Sequence, residues 1–297
     1  MCVKKKREMQ GITERTTETG IRVVEIDFEA NPEKRSPEWE IEARRGYTSE
    51  SAFRREMRRD RTVASGIGIY SEEFSRSAHV APEPLAPKPG SPMVFGFDFG
   101  LTPACVWARV LAWGGLRVFR ETVTWDGRGD PKTQGSDRLA EKVDLARRRE
   151  YPECTLETVY CDPSGWDRGE RDERTCVSGL QERFGAEVNI LPGPKTFEAR
   201  RSPMRRMLGR IRQGEPWIWI SPTCTMLIQA LSGAYRYRSS GEGGNMVLST
   251  QPDKNAWSHI AEAFEYLVGG LYGVLEPDEE LPETIYQERS ALRAGIY

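Results

Sequence analysis

The stretch MVFGFDFGLTPACVWARVL, residues 93–111, places one carboxylate, Asp98, inside an apolar run. Its β-branched and aromatic residues form two runs, at 93–99 and 104–112, separated by the turn sequence LTP, and a third apolar run follows at 116–124. Apolar runs joined by such short turns predict an antiparallel meander. An ionised carboxylate is rarely buried without a partner, so Asp98 either closes a turn at the strand end or holds a positive charge.

Strands and helices alternate in the part of the chain that follows this meander. The pattern predicts helices at about 135–149 and 175–184, the strands LETVYCD and AEVNILP, an arginine-rich helix at about 198–212, the strand PWIWIS, a helix at 223–232 and a last helix from Ser258 to about 271. A meander followed by alternating strands and helices predicts an α/β fold with a mixed sheet flanked by helices.

A proline-rich segment marks the predicted domain boundary. Residues 81–92, APEPLAPKPGSP, contain five prolines and therefore form neither a helix nor a central strand. We expect the sheet domain at 91–275, preceded by a small α+β linker region at 19–90 that has too few large apolar residues for a core of its own. Residues 1–18 are expected to be a disordered or severed end, and residues 276–297 a C-terminal tail.

Composition argues against several classes of function. The 297-residue chain has no apolar run near the roughly 20 residues that cross a bilayer, which indicates a soluble protein with no membrane partner. Its six cysteines include no C-x-x-C pair, and only two histidines accompany them, which argues against a zinc site and a disulfide framework. No phosphate-loop pattern occurs, so we do not expect this chain on its own to hydrolyse ATP.

The net charge of −2 conceals a strongly basic segment. Residues 200–212 carry six arginines and no acid. A local patch of this kind is typical of nucleic-acid contact, although a solvated helix face explains it equally well.

Acidic residues stand at the ends of two predicted strands. Asp98 ends the first strand, and Asp162, in YCDPSGW, ends the fourth. Strand ends that are neighbours in a sheet bring two carboxylates together, and carboxylates at short range repel unless a cation lies between them. Oxygen ligands without a histidine cluster select Mg²⁺ or Mn²⁺. The alternative is that each aspartate only closes a turn before proline or glycine.

The last predicted helix offers a third acid. Ile260, Phe264 and Leu267 lie on one apolar stripe, and Glu262 points nearly opposite to it. The alternative is a solvated helix glutamate, and Glu265 lies off the stripe as well.

Four segments together resemble a known family. FGFDFGLTPA, YCDPSG, RRMLGRIRQGEPWIWISPTCTMLIQALSGAYRY and DKNAWSHIAEAFEYL resemble, in this order, the C-terminal nuclease domain of the large terminase subunit of tailed bacteriophages, over roughly residues 91–272. GYTSESAFRREM and GIGIYSEEFSRSAHV resemble the connection between motor and nuclease in that family. The resemblance implies a ribonuclease H-like fold and a two-metal-ion endonuclease that cuts double-stranded DNA at the start and end of genome packaging.

The resemblance also implies site residues. The metal-binding acids correspond to Asp98, Asp162 and Glu262, and the implied cofactor is a pair of Mg²⁺ or Mn²⁺ ions. The third position is commonly aspartate in the family, so Glu262 is a departure. We expect His259 either to orient Glu262 or a water, or to cap the helix start. The candidate phosphate contacts are Lys195, Arg200, Arg201, Arg205, Arg206 and Arg210.

Partners follow from the same resemblance. They are double-stranded DNA, an ATPase motor part on a separate chain or removed from this one, the small terminase subunit and the portal, all in the cytoplasm of a bacterial host. Two other interpretations remain open. One is a resolvase or integrase of the same fold, against which SHIAEAFEYL and the upstream linker argue. The other is a non-catalytic DNA-binding or docking subunit of the packaging machine.

Overall fold

The chain divides into two compact units, Met1–Ile67 and Gly68–Tyr297. The structure, a computed structural model, describes residues 10–16, 22–45, 53, 57, 68–125, 133–168, 174–240 and 247–273. The division falls before the proline-rich segment at which the sequence predicts a boundary. Residues 68–90 therefore share a unit with the sheet, because Ile69, Tyr70 and Phe74 are buried in its core.

The first unit contains a hairpin and a short helix. Strands β1 (Ile12–Thr16) and β2 (Arg22–Ile26) pair antiparallel, with Ile12 opposite Ile26. Within the stretch expected to be a disordered or severed end, residues 12–16 form β1, and residues 1–9, 17 and 18 lie outside the described residues. Helix α1 (Pro37–Arg45) follows, and the Phe28 ring centroid lies 5.2 Å from that of Trp39.

The second unit holds a six-stranded mixed sheet. Its helices are α2 (Arg76–His79), α3 (Ser136–Glu150), α4 (Cys176–Phe184), α5 (Phe197–Leu208), α6 (Thr225–Gln229) and α7 (Ser258–Tyr272). The strands of this unit, inside and outside the six-stranded sheet, are β3 (Met93–Asp98), β4 (Ala104–Val110), β5 (Leu116–Val123), β6 (Leu156–Cys161), β7 (Asn189–Pro192), β8 (Ile211–Arg212), β9 (Glu215–Pro216), β10 (Ile218–Ile220), β11 (Tyr237–Ser240) and β12 (Val247–Pro252).

The strand order of the sheet is β10-β5-β4-β3-β6-β7. Strands β3, β4 and β5 pair antiparallel, so the predicted meander is confirmed. Strands β6 and β7 then continue from β3 as parallel neighbours, and β10 pairs parallel with β5. The expectation of an α/β fold with a mixed sheet flanked by helices is confirmed.

Both faces of the sheet are covered, which explains why its strands are apolar on both sides. Val94, on β3, faces a core that includes Met204 of α5 and Phe264 of α7. The next residue, Phe95, faces the opposite core, to which Leu139 of α3 contributes. The side chains of a strand alternate between the two faces, so Asp98 lies on the same face as Val94, towards α7.

Helix α7 lies very close to β3, and Gly96 permits this approach. A Cβ atom on Gly96 would stand 2.1 Å from the carbonyl oxygen of Ala263 and 2.8 Å from the Cβ of Leu267. Glycine is thus required at the position where the helix crosses the strand that carries Asp98. Within the described residues, no helix is long and apolar enough to span a membrane.

Two helices depart from their predicted bounds. The arginine-rich helix ends at Leu208, earlier than predicted, because Gly209 and the β8–β9 hairpin follow it. The helix predicted at 223–232 is α6 followed by a π turn, Ala230–Ala234, in which Gly233 has φ of 120°. Strands β11 and β12 pair antiparallel on either side of residues 241–246, which lie outside the described residues.

Candidate active site

Asp98 lies at the end of the central strand β3, where it is only 3% exposed. Its Oδ2 lies 2.8 Å from Nδ1 of His259, which belongs to the first turn of α7. An ionised carboxylate only accepts hydrogen bonds, so Nδ1 carries the proton in this contact. Strand and helix thus meet at one buried carboxylate.

Asp162 follows the neighbouring strand β6. Its backbone N–H donates to the carbonyl oxygen of Phe97 at 3.2 Å, which places it beside Asp98. Its Oδ1 accepts from the N–H of Ser164 at 2.9 Å and caps the short 3₁₀ turn Pro163–Trp166. The turn-forming role considered from the sequence is therefore real, and it uses one of the two carboxylate oxygens. No donor among the described residues binds the other one.

Glu262 lies one helical turn after His259 on α7 and is 2% exposed. The solvated helix glutamate considered from the sequence is thus excluded. The ammonium of Lys254 contacts both oxygens of this carboxylate at 2.5 Å. A buried carboxylate needs a positive partner, and Lys254 supplies it.

The segment ahead of α7 is shaped by Asn255. Its Oδ1 accepts from the N–H groups of Trp257 at 3.0 Å and Ser258 at 3.2 Å. Its Nδ2 donates to the carbonyl oxygen of Ala234 at 3.1 Å, which ties the turn to the π turn before β11. These bonds satisfy the first free N–H groups of α7 and bring Lys254 back over Glu262.

The electrostatics of Asp98 reflect its burial and its neighbours. Desolvation raises the pKa of Asp98 to about 6, the hydrogen bond from His259 opposes this rise, and the negative charges of Glu262 and Asp162 add to it. The carboxylates therefore lie close enough to repel one another. Such repulsion favours a positive partner for these acids, and Lys254 is that partner for Glu262.

The role of His259 differs from one of its predicted roles. It contacts Asp98 and does not orient Glu262 through any bond that the described residues form. The reason is its place on the helix: His259 is in the first turn and faces the end of β3, whereas Glu262 faces Lys254 and α5.

Most of the predicted phosphate contacts already bind groups of the protein. Arg200 is 8% exposed and pairs with Glu265, so the prediction that it contacts DNA is wrong. Arg201 contacts Glu198 and Tyr237, and Arg205 contacts Glu72 and Glu73. Arg206 donates to the carbonyl oxygen of Tyr272, and Arg210 lies over the ring of Trp217. Lys195 is exposed, and its DNA contact stays a prediction.

The donor set suits a hard divalent ion because it consists of carboxylate oxygens. Among the residues described, however, no three His, Cys, Asp or Glu side chains are gathered so closely that they could hold a metal ion together. Lys254 and His259 occupy oxygens of Glu262 and Asp98 that a metal would use. Metal binding at this site therefore requires at least the displacement of Lys254.

Sequence reasoning missed the contacts that three residues make with Glu262 and Glu265. Lys254 precedes the helix, and its contact depends on the turn at Asn255, which has no periodic signal. Arg200 carries a signal: it follows Phe197 by three residues and precedes Met204 by four, so it lies on the buried stripe of α5. Tyr70 is 195 positions away from the residue it binds, Glu265.

Comparison with known proteins gives structural neighbours only. No family model and no curated protein matches the chain. The chain is similar to the large terminase of a thermophilic bacteriophage, with 15% identity and a TM-score of 0.49, over 82% of this chain and 53% of that one. It therefore spans about half the length of that structure.

Two shorter structures are also similar. The large terminase nuclease of the thermophilic phage G20c with bound cobalt matches 70% of this chain and 98% of its own, with 14% identity and a TM-score of 0.41. RuvC of T. thermophilus in complex with a Holliday junction substrate matches 64% of this chain and 99% of its own, with 12% identity and a TM-score of 0.31. The solved structures to which this chain is similar thus include a phage large terminase, a terminase nuclease and RuvC.

Proposed function

We propose that this chain is a metal-dependent endonuclease of a phage DNA-packaging terminase, which cuts double-stranded DNA when packaging begins and ends. The observation that carries the proposal is that Asp98 and Asp162 end neighbouring parallel strands and that the charges of Asp162 and Glu262 both act on the buried Asp98. The resemblance of the sequence around each of these acids supplies the substrate class and the reaction.

The three acids would hold two Mg²⁺ or Mn²⁺ ions, and their oxygen-only chemistry supports this choice. Bound in a pair, such ions lower the pKa of an attacking water and stabilise the leaving oxygen of a phosphodiester. The chain contributes the rigid support: β3 and β6 hold the two aspartates, and α7 holds Glu262. His259 keeps the Asp98 carboxylate in one orientation through its 2.8 Å contact.

The proposal includes the partners that the resemblance implies. They are double-stranded DNA, an ATPase motor part, the small terminase subunit and the portal, and the place of action is the bacterial cytoplasm. Lys195 is the candidate phosphate contact that the described structure leaves exposed.

The test is cleavage of plasmid DNA with Mg²⁺ or Mn²⁺. Asp98→Ala is expected to abolish cutting and to leave the circular dichroism spectrum unchanged. Asp137→Ala is the matched control, because Asp137 is an exposed aspartate in the first turn of α3. Cleavage retained by Asp98→Ala would contradict the assignment of the site.

One observation favours a second function, the non-catalytic DNA-binding or docking subunit. Lys254 pairs with Glu262, so the chain itself supplies a positive partner for that carboxylate. Wild-type protein that binds DNA but cuts none with either metal would support this alternative and reject the nuclease.

A further inference from the structure

Two glutamates of α7 lie three residues apart and are both buried. Glu262 is 2% exposed and Glu265 is fully buried, at 0%. Only Glu262 belongs to the proposed metal site. Glu265 binds instead to two residues from other parts of the unit, Arg200 and Tyr70.

Arg200 is the residue that connects the two glutamates. Its Nε donates to Oε2 of Glu265 at 2.9 Å, and its Nη2 lies 3.9 Å from Oε1 of Glu262. Its Nη1 donates to the hydroxyl of Tyr266 at 3.3 Å. A guanidinium is planar and rigid, so these contacts fix its position relative to both carboxylates.

Tyr70 completes the set from the first turn of the second unit. Its hydroxyl donates to Oε1 of Glu265 at 2.6 Å, and its side chain is 1% exposed. The backbone next to it is also held, since the N–H of Ile69 donates to the carbonyl oxygen of Tyr235 at 3.0 Å. Each oxygen of Glu265 thus has a donor from a different element, and this carboxylate cannot rotate without losing one of them.

We propose that Tyr70, Glu265 and Arg200 form a positioning set that fixes the carboxylate of Glu262 for metal binding. The inference rests on the proposed function, because it gives Glu262 the role of a metal ligand. Arg200 places its positive charge 3.9 Å from Glu262, Glu265 holds Arg200, and Tyr70 holds Glu265. The residues act through Glu262 and do not touch the substrate.

The set has a consequence for the start of the unit. Tyr70 lies two residues after Gly68, with which the second unit begins. A displacement of this segment would release Glu265, then Arg200, and would change the position of Glu262. Metal affinity is therefore expected to respond to the segment at 68–74 as well as to the acids themselves.

The competing explanation is that the set only stabilises the fold, as a buried ion pair with its hydrogen bonds. The two explanations differ in metal affinity. Changes to groups that hold metal ligands cost about 10- to 100-fold in affinity, whereas a purely structural contact affects the stability alone.

The experiment compares two tyrosine variants. Tyr70→Phe removes the hydroxyl that binds Glu265, and Tyr272→Phe removes a hydroxyl that donates to the carbonyl oxygen of Gly114 at 2.8 Å. Mn²⁺ affinity is measured by calorimetry on the whole chain, and stability by urea unfolding with EDTA. We expect Tyr70→Phe to lower the Mn²⁺ affinity by about 10-fold and Tyr272→Phe to leave it unchanged.

A second pair of variants tests the guanidinium. Arg200→Lys keeps the charge but loses the planar contact with two carboxylates, so we expect it to lower the Mn²⁺ affinity as well. Arg201→Lys is the control, since Arg201 contacts Glu198 and Tyr237 instead. If Arg200→Lys does not fold, the comparison of Tyr70→Phe with Tyr272→Phe decides whether the positioning set acts on metal affinity.

The outcomes separate this inference from the proposed function. Wild-type protein that binds Mn²⁺, together with Tyr70→Phe protein of unchanged affinity, overturns the positioning set alone. Equal losses of affinity in Tyr70→Phe and Tyr272→Phe overturn it too, because they would reflect general destabilisation. Wild-type protein that binds no Mn²⁺ overturns the proposed function, and the inference with it.

Discussion

The ammonium of Lys254 lies 2.5 Å from both carboxylate oxygens of Glu262. The lysine side chain is 60% exposed and the glutamate side chain 3%, so the cation reaches in from the surface to a buried anion. A divalent ion that uses Glu262 has to compete with this ammonium. The ion pair therefore keeps the carboxylate neutralised while no metal is bound, and it sets a cost on metal binding.

The first prediction concerns the replacement of Lys254. We expect Lys254→Met to raise the Mn²⁺ affinity in calorimetry, because the competing cation is gone. We expect the same variant to lower the free energy of unfolding in EDTA by about 1–3 kcal/mol, since Glu262 then lacks its main partner. Lys142→Met is the control, because Lys142 is exposed and, among the described residues, donates to the uncharged Gln134. An unchanged or weaker Mn²⁺ affinity of Lys254→Met would contradict competition between Lys254 and the metal ion for Glu262.

The second prediction concerns the contact between α7 and β3. Gly96→Ala places a methyl group 2.1 Å from the carbonyl oxygen of Ala263, so the helix has to move away from the strand. We expect a loss of about 1–3 kcal/mol in unfolding free energy and a loss of DNA cleavage, because Asp98 and Glu262 separate. Urea unfolding and plasmid cleavage measure the two effects.

Gly135→Ala is the control for that substitution. A Cβ atom at Gly135 has open space around it, and its φ of −64° suits any residue. We expect near wild-type stability and cleavage. If Gly96→Ala behaves in the same way as this control, the close approach of the helix does not position the acids.

The third prediction follows from the burial of Asp98. Its pKa rises from 3.8 to about 6 in the folded protein, mainly because desolvation penalises the charged form. The folded state therefore holds this proton more tightly than the unfolded state. The stability that the protonated group contributes is complete below the unfolded pKa and is lost as the pH rises through about 6.

Asp98→Asn removes this titration. In EDTA, we expect its unfolding free energy, relative to wild type, to rise by up to about 3 kcal/mol between pH 4 and pH 7. Urea unfolding at both pH values measures the difference, and comparison of the two proteins cancels the titration of other groups. A difference that stays constant between the two pH values would show that the Asp98 pKa is not raised.

The local parts of the fold could be predicted from the sequence, and the long-range contacts could not. The meander and the helices at 136–150 and 258–272 follow from apolar periodicity and turn residues, which act over short distances. Asp98 and Asp162 could be paired because both end predicted strands. The contact of Lys254 with Glu262 depends on a turn geometry that leaves no periodic pattern.

The arginines of residues 200–212 also show that the sequence does not reveal long-range contacts. Counting charge in residues 200–212 indicates a basic face, but the count does not say which arginines point inward. Arg200 points inward because the partners of its guanidinium, Glu265 and Tyr266, come from a helix about 65 positions later in the chain. Periodicity on α5 places Arg200 on the buried stripe, and that signal outweighs the charge count.

The last prediction tests the basic surface that remains. Lys195 is exposed and lies just before α5, whereas Arg200, which lies on α5, is buried. We expect Lys195→Ala to weaken DNA binding and to reduce the slope of log K against log salt by about 0.9, the value for one phosphate contact. Lys142→Ala, on the helix that covers the opposite face of the sheet, is expected to change neither quantity. Fluorescence anisotropy at several salt concentrations measures both, and equal slopes for Lys195→Ala and wild type would exclude Lys195 as a phosphate contact.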